Sequence, residues 1–155
     1  MIGALHMHLF CLNGYQGEKI SMELNEVIGF PNSISYDGGY DIKCTLTIDA
    51  GCYHIEFDRL YSATGALYRF CNELKNCYNK LEGEAEYRMF LEDDLCFKVV
   101  MTTGGHAVIM GTFQELPSKN NIFEFEIDTD QTYLLSVIQD IENLKEKYGD
   151  MEGVK

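Results

Sequence analysis

Ile122 to Tyr148, IFEFEIDTDQTYLLSVIQDIENLKEKY, is the stretch that most limits what this chain can fold into. Phe123, Phe125 and Ile127 alternate with Glu124, Glu126 and Asp128, the period-two pattern of a strand with one buried face. Leu134, Val137, Ile138, Ile141, Leu144 and Tyr148 then recur at steps of three and four, the spacing of one helix face. Asp128, Thr129 and Asp130 each suit the N-cap, where a side-chain oxygen accepts a free backbone N–H. Lys145 and Lys147 complement the dipole of the last turn, and Gly149 supplies the stop.

The rest of the chain repeats these two patterns. Leu5, Met7, Leu9 and Cys11 share one side of a first strand, with His6, His8 and Phe10 on the other. Ile20, Met22 and Leu24 make a second strand whose parity slips at Glu26-Val27, the mark of a bulge or an end. Phe30 to Tyr40 reads as a loop. Ile42, Cys44, Leu46 and Ile48 then alternate cleanly, Asp49-Ala50-Gly51 turns, and Tyr53, Ile55 and Phe57 return. A first helix opens at Ser62 or Thr64, buries Leu67, Phe70, Cys71, Leu74, Tyr78 and Leu81, and stops at Gly83. Ala85, Tyr87 and Met89, then Leu95, Phe97, Val99 and Met101, then His106 to Phe113 give three more strands before the final one.

The order is ββββαββββα. Both halves pass from a strand to a helix through similar residues, Ile55-Glu56-Phe57-Asp58 and Phe125-Glu126-Ile127-Asp128, which admits an ancestral duplication or simply shared local physics. Short turns make the strands antiparallel, and each has one apolar face. The expected fold is α+β: a mainly antiparallel sheet of about eight strands with two amphipathic helices packed on one face. With no linker between the halves, residues 1–155 read as a single domain, and 155 residues suffice to bury roughly two thirds of the unfolded surface.

Charge narrows the function. A formal net charge of −13 repels phosphate backbones, which argues against nucleic-acid binding and favours a basic protein partner. No apolar run approaches the roughly 20 residues of a membrane-spanning helix, and the N-terminus reads as a strand and not as a secretory signal. Reactive motifs are scarce. His6 and His8 on one side of a strand could share a metal, but no third ligand follows at a useful spacing. His106 has no nucleophile motif beside it, and Asp37-Gly38-Gly39-Tyr40-Asp41 lacks the ligands of a calcium loop. No catalytic residue, metal or cofactor is assigned.

The acids cluster instead. Glu82, Glu84 and Glu86 with Glu92, Asp93 and Asp94 crowd one hairpin, while Glu124, Glu126, Asp128 and Asp130 line the last strand. A solvated face looks the same, so solubility alone accounts for the pattern as readily as a partner does. If a partner binds, these acids and the loop residues Tyr36, Asp37, Tyr40 and Asp41 are the expected contacts, with Phe30, Tyr36 and Tyr40 as exposed anchors.

Three pieces together carry a family resemblance: the helix bearing Leu67, Phe70, Leu74, Tyr78, Leu81 and Gly83; the strand Gly105-His106-Ala107-Val108-Ile109; and Phe123-Glu124-Phe125 followed by Asp130-Gln131-Thr132-Tyr133-Leu134. From Gly39 to Gly149 the chain resembles the WapI-type immunity proteins of bacterial polymorphic-toxin systems. Related sequences tend to carry an aspartate near a tryptophan in the middle loop, where this chain has Asp37 and no tryptophan. The resemblance implies a cytoplasmic, non-enzymatic protein that binds and blocks a cognate toxin domain. A scaffold module with another protein partner is the second reading, and a small enzyme or metal protein using His6, His8 or His106 the third. An open sheet edge also leaves a homodimer open.

Six cysteines, Cys11, Cys44, Cys52, Cys71, Cys77 and Cys96, include no Cys-x-x-Cys pair and fall mostly on apolar faces, as free thiols of a reducing compartment do. Titration of the unfolded, unreduced chain with a thiol reagent is therefore expected to count all six; a count of zero would establish disulfides.

Overall fold

The computed structural model describes residues 7–92 and 94–154. The element order is β1 (Met7–Asn13), β2 (Lys19–Ile28), β3 (Asp41–Ala50), β4 (Tyr53–Ala63), α1 (Thr64–Lys80), β5 (Glu84–Tyr87), β6 (Leu95–Met101), β7 (His106–Phe113), β8 (Phe123–Asp130) and α2 (Leu134–Tyr148). A 3-10 turn, Gln131–Tyr133, leads into α2. The eight strands divide into two antiparallel sheets of four, β1-β2-β3-β4 and β5-β6-β7-β8, and the α+β class and element order are those read from the sequence.

Alternation builds the inner faces row by row. Leu12, Ile20, Ile48 and Ile55 lie opposite one another across the first sheet, as do Phe10, Met22, Leu46 and Phe57. In the second sheet the rows are Ala85, Val99, Ile109 and Ile127, then Tyr87, Phe97, Gly111 and Phe125. Each helix crosses to the other half. α1 follows the first sheet and lies along β5; α2 follows the second and lies along β1; the two helices also pack on each other. Residues from both sheets and both helices thus join one buried cluster. Phe10, Phe70 and Phe97, from β1, α1 and β6, meet at its centre with ring centroids 5.2–6.3 Å apart.

Several local readings change. The first strand is bulged at Leu9, so Phe10 and Leu12 face the sheet partners Met22 and Ile20, and Cys11 falls on the other side. One extra residue reverses every side chain beyond it, which simple alternation does not anticipate. The slip in β2 is likewise a bulge, at Asn25. β4 runs on to Ala63, so Ser62 belongs to the strand, where its hydroxyl meets the buried Tyr87 hydroxyl at 2.6 Å. α1 ends at Lys80 and not at Gly83; Leu81 takes a left-handed conformation (φ 58°) and its side chain is exposed. The buried stripe of α2 is the one expected, but Asp130 caps the 3-10 turn ahead of it by accepting the Thr132 N–H, and α2 itself starts after Tyr133 with no side-chain cap.

Gly111 sits between Phe97 and Phe125 because a side chain has no room there: a Cβ would come within 2.5 Å of the Phe97 Cβ and the Cys96 carbonyl oxygen. Gly111→Ala is expected to lose about 1–3 kcal/mol by overpacking, measured by urea denaturation. An unchanged midpoint would show that the aromatic row has slack.

Candidate functional site

The outward face of the second sheet gathers acids that are far apart in sequence. Glu84 shares a row with Val100, Val108 and Asp128; Glu86 shares the next with Lys98, Met110 and Glu126; Cys96, Thr112 and Glu124 form a third. Carboxylates therefore flank a half-buried apolar strip of Val100, Val108 and Met110. Among the described residues of these rows Lys98 is the only base, and its ammonium lies 3.6 Å from Glu84. The outward face of the first sheet differs. There Lys19 and Lys43 are interspersed with Glu23, Thr45, Thr47 and Asp49, and His54 is held by Asp49. That hydrogen bond raises the His54 pKa. One face is thus predominantly negative, with five carboxylates to the one ammonium of Lys98 around its apolar strip, and the other is mixed.

A second feature lies at the end of the same acidic sheet. Asp37, in the loop between β2 and β3, is buried. Its Oδ1 accepts from Arg69 Nη2 on α1 at 3.0 Å and from the Phe90 N–H at 2.9 Å, and its backbone oxygen accepts from Arg69 Nη1 at 2.6 Å. Arg69 Nη2 also donates to the Arg88 carbonyl, and the guanidinium lies 4.1 Å from the Phe90 ring centroid. Three segments are fastened at one carboxylate. Glycines make the approach possible. Gly38 and Gly39 take positive φ angles of 91° and 62°, and a Cβ at Gly65 would lie 2.3 Å from the Asp37 carbonyl oxygen. In the extended part of the loop the Thr64 hydroxyl accepts the Tyr40 N–H instead of capping α1.

Tyr40 is not the exposed anchor expected. It is fully buried, donates its hydroxyl to the Pro31 carbonyl and accepts the Val154 N–H, with Phe30 edge-on at 5.1 Å. Burying a tyrosine whose hydroxyl is satisfied is inexpensive, whereas the alternation rule says nothing about loop residues. Asp37 is likewise interior. Tyr36 does stand in solvent, as do Asp41, Glu92, Glu124, Glu126 and Asp128; Asp93 lies outside the described residues. Asp130 is occupied structurally: the Thr132 hydroxyl bond holds its carboxyl below the usual range, and Tyr15 donates to it at 2.9 Å. His106 bonds the same Tyr15 hydroxyl, His8 pairs with Asp140 on α2, and His6 is outside the described residues. Among the described residues no group of three or more His, Cys, Asp or Glu side chains is placed to hold a metal ion.

Sequence reasoning missed Arg69, Phe90 and Leu91. Phe90 and Leu91 are exposed and stand just after the β5 alternation, so an unbroken apolar pair before an acidic turn was the available signal. Removing one member of a buried ion pair leaves the other charge uncompensated, at roughly 3–5 kcal/mol when both are fully buried. Arg69 keeps 29% of its side-chain exposure, so Asp37→Ala is expected to lose about 2 kcal/mol in thermal or urea unfolding. A loss below about 0.5 kcal/mol would mean that the knot is incidental.

Comparison with known proteins adds the family. None of the curated proteins compared matches the chain. The model of the immunity protein WapI-like family matches residues 11–149, which takes in the last three residues of β1, the other seven strands, both helices and the Asp37 loop. The chain belongs to the WapI-like immunity protein family.

Proposed function

We propose that this chain neutralises a cognate toxin domain by binding it stoichiometrically, with no catalysis of its own. The family match over residues 11–149 is the observation that carries this reading. The acidic face of the second sheet supports it from the physical side. Its carboxylates around Val100, Val108 and Met110 give the polar rim and apolar centre of a protein interface. They also favour a basic partner over an acidic one, because like charges brought together across an interface cost several kcal/mol. A basic toxin surface would be drawn to this face by long-range attraction and covered by it. No helix among the described residues is long and apolar enough to cross a membrane.

Co-expression with the toxin domain encoded directly upstream is expected to restore growth, and the two chains should co-purify in equal amounts. Replacing Glu124, Glu126 and Asp128 together by lysine should slow association at least about tenfold at low salt, with a smaller effect at high salt. Absence of both rescue and complex would remove the reading.

A further inference from the structure

Tyr36 and Leu91 are 75% and 73% exposed, and Phe90 is 52% exposed. They come from two loops that are joined where Asp37 holds Arg69 and the Phe90 N–H. Tyr36 and Phe90 rest edge to face at 6.1 Å, with the Arg69 guanidinium behind the Phe90 ring. A buried charge is thus spent on keeping large apolar groups fixed in water. Held this way, they give up little side-chain freedom when something covers them.

Charge decides what that something is. The loop carrying Phe90 and Leu91 joins β5 to β6, at the end of the sheet whose outer face carries Glu86, Glu124 and Glu126, and its sequence includes the acids Glu92 and Asp94 and the one base Arg88. A second copy of a chain of net charge −13, an anionic membrane and a phosphate backbone would all be repelled here. A basic protein surface would not.

We propose that Tyr36, Phe90 and Leu91 form the anchor that enters an apolar recess on a basic protein partner, the neighbouring acidic sheet face guiding that partner in. The identity of the partner as a toxin domain rests on the function proposed above; the anchor is a separate claim about which side chains hold it.

The test measures binding of the purified upstream toxin domain to wild type, to Phe90→Ala/Leu91→Ala, to Tyr36→Ala, and to Tyr61→Ala as an exposed control on the first sheet. Each variant is also melted. The double variant is expected to raise Kd about thirtyfold, mainly through faster dissociation, and the control less than threefold. Wild-type affinity in the double variant would overturn the anchor while leaving neutralisation intact. Should the variants melt early, amide exchange of the wild-type complex decides: protection at residues 88–92 supports the anchor, and none overturns it. A wild type that neither binds nor protects removes both claims. A free-chain dimer, or binding to anionic phosphatidylglycerol vesicles, that the double substitution abolishes would assign the patch to another occupant and overturn the proposal.

Discussion

The meeting of Phe10, Phe70 and Phe97 is the contact on which the architecture turns. One ring belongs to each sheet and the third to α1, so neither four-stranded sheet has its inner face covered without the other half of the chain. A small sheet with one solvated side cannot bury enough apolar area alone to offset its ordering entropy. The crossed helices serve the same end, α1 lying along the second sheet and α2 along the first. The turn between β1 and β2 adds a seam: the Tyr15 N–H donates to the Asp128 carbonyl, and the Thr129 hydroxyl donates to the Asn13 carbonyl. That seam covers part of the β8 edge, which would otherwise present unpaired backbone groups.

The long loop between β2 and β3 follows from the same principle of shared burial. Its glycines let it press against the start of α1, Tyr40 fills the interior, and the chain after α2 returns to it where the Gly39 N–H meets the Met151 carbonyl. The loop is therefore a packed part of the structure, and only Ile34, Tyr36 and Phe30 keep large apolar surface outside. Asp37 links this loop to α1 and to the β5–β6 loop, so the packing of both loops against the helix is tied to one carboxylate. The chain thus contains a largely buried ionic network whose visible product is an exposed aromatic group.

Elements with regular spacing were legible. The α2 stripe, the β3 alternation and the β6 alternation match their burial residue by residue, because periodicity reports which side of an element meets the core. Position-dependent features were not. The bulge at Leu9 reversed the first strand, and Leu81 left the α1 stripe because the chain turns left-handed there. At the candidate site, the acids of β8 were legible as an exposed row, whereas the burial of Asp37 and Tyr40 and the prominence of Phe90 and Leu91 were not. Loop side chains obey no period, and their burial depends on what the rest of the chain brings against them.

By itself the sequence determined the surplus of negative charge, the order of the strands and helices and the inner faces of those with unbroken spacing, since spacing depends on neighbours two to four residues away. Tertiary structure alone decided that eight strands make two sheets, that Glu84 and Glu86 share a face with Glu124, Glu126 and Asp128, and that Arg69 finds Asp37. These pairings join residues tens of positions apart. Their energy exists only once both helices have crossed and the water between the partners has been expelled.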